Sequence, residues 1–251
     1  MLNIVVPMAG RGSRFADAGY EAPKPLIPVL GRPMIELVVE NLRPSVPHRF
    51  VFICQAEHVA RYDLGTLLPR IAPGAVVVPL DGITEGAAVT VLHAREHIDP
   101  DDPLVIANSD QYVDVPADDW VSAGLAPDVD GLILTMEADD PKWSFVELDD
   151  AGLVTRVVEK EVVSDQATVG IYLFARGRDF VDAADAMIAA DERVNGEFYV
   201  APVYNGLIRA GHRVVVHDVG QVGAGMHGLG TPADLDAFLA SATAARLGTP
   251  A

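Results

Sequence analysis

Short apolar runs alternate with amphipathic stretches through the first 110 positions. Leu2–Val6 is a continuous apolar run, the mark of a strand buried on both faces, and it leads directly into a glycine-rich loop. Met34–Leu42 carries apolar residues at helical spacing, with Pro33 near its first turn. Phe50–Cys54 predicts a strand, 57–68 a helix, Ala75–Leu80 a strand and Glu85–Glu96 a helix. Leu104–Ala107 predicts a strand that ends at Asn108-Ser109-Asp110. This β-α-β-α rhythm implies a mostly parallel sheet with helices on both faces. The rhythm then changes. Gly131–Glu137, Ser144–Leu148, Val154–Glu159 and Ala167–Phe174 predict strands, with Asp149-Asp150-Ala151-Gly152 as a tight turn. Helices are expected at 178–190 and 198–210, and a strand at Arg213–His217. Thr231 as N-cap and Pro232 at N1 open a last helix, and the Ala/Ser-rich tail from Ala240 is expected to fray. With no internal repeat or low-complexity linker, the expectation is one domain over 1–251: a lobe of about 1–112, a smaller lobe of about 113–239 and a tail of 240–251. The expected architecture is three-layer α/β/α around a mixed, mostly parallel central sheet.

Composition narrows the partners. The 251 residues are enough to bury about three-quarters of the unfolded surface. Half of them are hydrophobic, which argues against disorder, while 36 acidic against 18 basic residues leave a net charge of -18. Such a surface repels phosphate backbones and anionic lipid, so neither a nucleic acid nor a membrane is an expected partner. One cysteine, Cys54, cannot form an internal disulfide. The opening Met1–Val6 has no basic n-region and meets Pro7 too soon for a signal peptide, and no apolar run reaches about 18 residues, so a cytoplasmic location is expected. The charge is unevenly spread: residues 99–150 hold 15 acids and one base, Lys142, whereas 1–35 hold Arg11, Arg14, Lys24 and Arg32 against Asp17 and Glu21. A basic island in an acidic chain suits an anion, although scattered surface charge gives the same count.

The loop Met8-Ala9-Gly10-Arg11-Gly12-Ser13-Arg14 gives that island a chemistry. Small residues let backbone N–H groups approach a polyphosphate. Phe15 stands where the dinucleotide fingerprint needs its third glycine, and no Gly-Lys-Ser/Thr follows, so neither common phosphate-loop motif applies. Instead Arg14 and Pro23-Lys24-Pro25 place two cations beside the loop, a fork and a point charge suited to a triphosphate.

Gly10–Phe15 together with the segment Pro23–Ile35 resembles the signature of the sugar-phosphate nucleotidylyltransferases, among them glucose-1-phosphate thymidylyltransferases and N-acetylglucosamine-1-phosphate uridylyltransferases. The resemblance extends to about Leu239 and implies a Rossmann-like fold. Phe52–His58, Ala107–Tyr112, Pro141–Ser144, Asn195–Asn205 and Gly228–Leu235 bring the chain nearest a capsule and surface-glycan branch that includes phosphoglutamine cytidylyltransferases. The expected reaction moves NMP from an NTP to a phosphorylated acceptor, a sugar phosphate or a phosphorylated amino-acid amide, with release of pyrophosphate.

The resemblance also assigns residues. Arg14, Lys24 and Asp110 are the expected catalytic set, with Asp110 as ligand of a Mg²⁺ cofactor; a turn aspartate at a strand end is the alternative. Met8, Ala9, Gly10, Arg11, Gly12, Ser13, Asp81, Gly86 and Ser109 are expected against the nucleotide. Gly86 matches a glycine that lets the base reach the backbone. Asp81 falls near a glutamine that reads uracil or thymine in relatives; an acidic group suits an amine-bearing base edge, which favours CTP, then GTP. Trp143, Ser144, Glu159, Lys160, Gly170 and Glu197 are expected on the acceptor side, with Lys160 at its phosphate. A surface ion pair for Glu159–Lys160, a core role for Trp143 and a helix-start role for Glu197 are the plain alternatives. Many relatives carry a second metal-binding carboxylate where this chain has Gly228, leaving Asp234, His227 or water as stand-ins. A homodimer is compatible with the resemblance. A glycosyltransferase with a similar sheet is a rival, but its usual Asp-x-Asp fails at Gln111-Tyr112; a non-catalytic nucleotide-binding paralogue is the other.

Overall fold

A computed structural model describes residues 1–248. The chain opens with β1 (Leu2–Pro7), α1 (Ser13–Asp17), the two-residue strands β2 (Pro28–Val29) and β3 (Arg32–Pro33), and α2 (Met34–Leu42). Next come β4 (His48–Gln55), α3 (Ala56–Arg61), α4 (Leu64–Ile71), β5 (Val76–Leu80), α5 (Ala87–Leu92), β6 (Leu104–Ala107), β7 (Gln111–Val113) and α6 (Ala117–Gly124). The second half adds β8 (Gly131–Glu137), β9 (Ser144–Leu148), β10 (Val154–Glu159), β11 (Gln166–Phe174), α7 (Gly177–Ala189), α8 (Tyr204–Arg209), β12 (Val214–Val222), β13 (Gly225–Gly228), α9 (Pro232–Leu239) and α10 (Ala242–Leu247).

One sheet of 11 strands organises these elements, in the order β5-β4-β1-β6-β11-β8-β12-β13-β7, with β9 pairing β11 and β10. The β5-β4-β1-β6 block is parallel, and β11 enters antiparallel to both β6 and β8. Period-two alternation divides the strands between two cores. Ile4 and Val6, Phe50 and Phe52, Val105 and Ala107 face one core; Val5, Val51, Ile53, Leu104 and Ile106 face the other. Leu37 and Val38 of α2, Trp120 of α6 and Phe238 of α9 cover the first face, and Val91 of α5, Phe180 of α7 and Leu207 of α8 cover the second. Each fully buried side chain of this kind stabilises the fold by about 1.5–3 kcal/mol, so both faces specify the register. The expected three-layer architecture is the one observed.

Local expectations fail in specific places. The helix expected over 57–68 is broken, because Asp63 takes a left-handed φ of 49° between α3 and α4. The helix expected over 85–96 is α-helical only at Ala87–Leu92, with a 3-10 turn at Arg95–His97. The helix expected at 198–210 starts as a 3-10 turn at Ala201–Val203. Strand β12 runs past His217 to Val222, and β7 and β13 form an unanticipated antiparallel pair. The tail does not fray at 242–247: α10 is capped by the Ser241 hydroxyl, and Thr243 and Arg246 bond Asp114 at 3.1 and 2.6 Å. The rest of the expected tail, 249–251, lies outside the described residues.

Candidate active site

A cleft of about 730 Å³ opens at the C-terminal end of β1 and β6, where open α/β sheets bind ligands. Its floor is the glycine-rich loop. Met8 N–H donates to the Ile53 carbonyl at 2.9 Å and the Gln55 side-chain amide donates to the Ala9 carbonyl at 2.6 Å, which ties the loop to β4. Phe15, 1% exposed, plugs α1 into the core and meets Tyr20 edge-on, which explains an aromatic residue where a dinucleotide loop has glycine. Gly12 has φ 60°, and a Cβ there would already lie 3.4 Å from the Lys24 Cβ. Ala9, Gly10, Arg11, Gly12, Ser13 and Arg14 line the cleft; Met8 is buried beneath it.

Lys24 and Asp110 meet across this floor, Nζ to Oδ2 at 2.6 Å, each side chain about a quarter exposed (24% and 23%). Pro23 and Pro25 set the backbone on either side of the lysine. Asp110 follows β6, and its carbonyl accepts from Leu229 N–H at 2.7 Å, so the segment after β13 closes over it. Arg11 and Arg14 are exposed and, among the described residues, form no ion pair with a carboxylate, whereas nine arginines elsewhere do.

Several candidates fall elsewhere. Asp81 is exposed at the end of β5 and does not line the cleft; Ile83, Thr84 and Glu85 do. Ser109 is buried (4% exposed), and its neighbour Asn108 lines the cleft instead. Gly86 is on the wall, but the contact that demands glycine is internal. It has φ 134°, and a Cβ would sit 2.4 Å from the Phe198 carbonyl oxygen. Backbone bonds from Ala88 N to Phe198 O (3.0 Å) and Phe198 N to Glu85 O (2.8 Å) hold that approach. Gly170 is likewise buried off the cleft, where a Cβ would strike the Asn108 amide at 2.1 Å.

The acceptor-side candidates gather at β9 and β10. Ser144 and Glu159 are cross-strand partners, and the Ser144 hydroxyl donates to Glu159 Oε2. Burial pushes the Glu159 carboxyl above the usual range and the Glu197 charge adds to this, against the Ser144 bond and Lys160. Lys160 has φ 58°; its ammonium bonds the Tyr199 hydroxyl and lies 4.6 Å from the Tyr199 ring centroid. That bond raises the Lys160 pKa, aided by Glu159 and Glu197, so the lysine is held charged. Ser144, Glu159, Lys160 and Tyr199 do not line the main cleft; Glu197, whose charge acts on Glu159 and Lys160, does. Trp143 is half-buried against the core under the Lys142 ammonium, 5.0 Å from its ring, and does not line the cleft. Sequence reasoning gave no role to Gln55, Asn108, Thr84 or Gly230, although each lay inside a motif or segment it had singled out.

The residues fit a divalent cation. A Cβ on Gly230 would lie 3.0 Å from Asp110 Oδ2 and 4.0 Å from Asp234 Oδ2, so the two carboxylates flank that glycine. At Gly228 the space of a side chain faces Asp234, whose Cγ would be 3.5 Å from a Cβ there. Thr231 caps α9 by accepting from Asp234 N and donating to Asp234 Oδ2 at 2.6 Å. His227 is buried against Tyr112 and Phe238, with its pKa lowered by burial, and is no stand-in. Among the described residues no group of three or more His, Cys, Asp or Glu is placed to hold a metal. Mg²⁺ asks for less: one or two carboxylates, with phosphate oxygens and water completing its shell.

The chain belongs to the nucleotidyl transferase family, whose model matches residues 4–198. It is 28% identical over 235 residues to the bifunctional protein GlmU of Burkholderia mallei, a match covering 85% of this chain but only 46% of that protein. The chain thus spans about half the length of the curated relatives it matches. A nucleoside-diphosphate-sugar pyrophosphorylase from Vibrio cholerae superposes with TM-score 0.80 at 26% identity, covering 94% of this chain and 99% of that one. The inositol-1-phosphate CTP transferase from T. maritima shares the fold with TM-score 0.73 at 15% identity, covering 92% and 90%. No helix among the described residues is long and apolar enough to cross a membrane.

Proposed function

We propose that this chain transfers a nucleotidyl group from an NTP to a phosphorylated small molecule and releases pyrophosphate. An acceptor phosphate oxygen attacks the α-phosphorus, the bond to the bridging oxygen breaks, and pyrophosphate leaves with that oxygen. The acceptor phosphate is anionic near neutral pH, so no general base is required. The obstacle is crowding of negative charge, and positioning with charge stabilisation answers it. Arg14, Arg11 and the loop amides hold the leaving pyrophosphate, Lys24 sits at the α-phosphate, and Lys160 holds the attacking phosphate. Glu159, Ser144 and Glu197 accept or order polar groups on the acceptor body. Mg²⁺ would be held by Asp110, with Asp234 as the carboxylate replacing the one absent at Gly228, and it supplies Lewis-acid stabilisation of phosphate charge. In this reading lobes 1–112 and 113–239 serve one reaction.

The observation that carries the reading is the Lys24–Asp110 contact at 2.6 Å beside the unpaired Arg11 and Arg14, in one cleft that also reaches Glu197. For the base, the acidic 81–85 segment favours an amine-bearing edge, so CTP stands first and GTP second; with Asp81 off the cleft, Glu85, paired with Arg193 at 3.1 Å, is the segment's carboxylate on the wall. The acceptor proposed is that of the surface-glycan branch, a sugar phosphate or phosphoglutamine. A pyrophosphate-release screen of four NTPs against sugar 1-phosphates, polyol phosphates and phosphoglutamine tests this. Turnover with CTP is expected; no turnover with any NTP together with NDP release from a nucleoside-diphosphate sugar supplied in its place would favour the glycosyltransferase reading, and nucleotide binding without turnover the regulatory one.

A further inference from the structure

Behind the glycine-rich loop lies a second cavity of about 160 Å³, and the loop is the wall between it and the main cleft. Gly10, Arg11, Gly12 and Lys24 line both. On its far side the rear cavity is closed by His58, Arg61 and Tyr62, from α3 and the residue after it. The motif Phe52–His58 leads into this wall. Its Gln55 holds the loop, but the chemistry proposed for the front leaves His58 and Arg61 without a task.

Charge makes the cavity unusual. In a chain with twice as many acids as bases, Arg61, like Arg11, has no carboxylate partner among the described residues. Its guanidinium rests 5.3 Å from the Tyr62 ring centroid. The Tyr62 hydroxyl donates to the Glu21 carbonyl at 3.4 Å, which ties α3 to the loop segment opposite. Glu21 is the acid on the wall, and it pairs with neither arginine. Two forked cations and a histidine around a space of about five water volumes select a compact inorganic anion and exclude a nucleoside.

We propose that this rear cavity is a second anion subsite that receives inorganic pyrophosphate as it leaves the front of the loop, with Arg11 serving both sides and Arg61 the rear alone. The assignment rests on the nucleotidyl-transfer reading, because that reaction supplies pyrophosphate beside the loop. An occupied rear subsite would let the front refill before the product is gone, so pyrophosphate and NTP would bind together.

The test is a calorimetric titration of the full chain with inorganic pyrophosphate in the presence of a saturating α,β-methylene analogue of the preferred NTP. Wild type is expected to bind pyrophosphate with the analogue in place. Arg61→Ala should weaken that binding at least tenfold, Arg61→Glu should abolish it, and both should hold the analogue with unchanged affinity. Complete mutual exclusion of pyrophosphate and analogue in wild type, or wild-type pyrophosphate binding by Arg61→Glu, would overturn the proposal. Failure of the underlying reading has a different signature: no heat with any of the four analogues. Titration of pyrophosphate into wild type and Arg61→Ala alone then still decides whether the rear cavity takes the anion.

Discussion

At the loop end of the cleft, Arg11 and Arg14 have no acidic partner among the described residues and Lys24 has one, Asp110. At the β9–β10 end, where Glu197 is the residue shared with the cleft, Lys160 is held by Tyr199 and the buried Glu159 by Ser144. An anion arriving at the loop therefore meets cations that pull freely, in a region where a triphosphate can gain several charge-assisted bonds. A ligand arriving at β9–β10 finds polar groups already satisfied, so it gains less from charge and more from fitting a fixed geometry. In the proposed reaction, one end supplies affinity for a polyanion and the other selects among similar small molecules.

The largest effects should come from the loop end. Lys24→Ala and Asp110→Ala are each expected to cut pyrophosphate release by about 100–1000-fold while circular dichroism stays native. Near-wild-type turnover in either would remove the loop end from the chemistry. Joining the two ends, Gly86→Ala forces a side chain into a φ of 134° against the Phe198 backbone. The dihedral alone costs about 1–3 kcal/mol, so a clear fall in the denaturation midpoint is expected. An unchanged midpoint would mean the two segments are not locked together.

At the β9–β10 end, Tyr199→Phe removes the hydroxyl on Lys160 and keeps the ring under its charge. Acceptor KM should rise about tenfold or less, with NTP KM unmoved; a shift in NTP KM would blur the division between the ends. The smallest effect concerns Glu159. Its folded pKa is raised, so the folded state holds the proton more tightly than the unfolded chain. Its contribution is then complete below the ordinary glutamate pKa of about 4.3 and declines as pH rises from there through the raised value. Comparing denaturation midpoints of wild type and Glu159→Gln across pH 4–8 should show this slope in wild type only.

Legibility followed physical range. Strands β1, β4 and β6 were readable because burial on both faces writes a continuous apolar run, and α2 because its stripe is complete. Strands β7 and β13, three and four residues long, are defined by pairing with each other across more than 100 positions, which no local pattern records. The loop and Lys24, singled out by spacing, line one cleft. Asp81 and Ser109 do not: a chain position says which segment reaches the cleft but not which face of it does. The tail was misread because its order comes from Asp114, a distant partner for Thr243 and Arg246.

The lock between Gly86 and Phe198 has a consequence for remodelling the enzyme. The stretch 84–88 carries part of the cleft wall, and 196–199 carries Glu197 and Tyr199; their backbones are laced together by two hydrogen bonds with no room for a methyl group at Gly86. A loop transplanted from a relative at either place arrives with its own backbone path and would tear the lacing unless its counterpart came too. In the proposed reaction, nucleotide choice and acceptor choice would change as a unit, and libraries that vary both stretches together should yield folded variants more often than libraries that vary one.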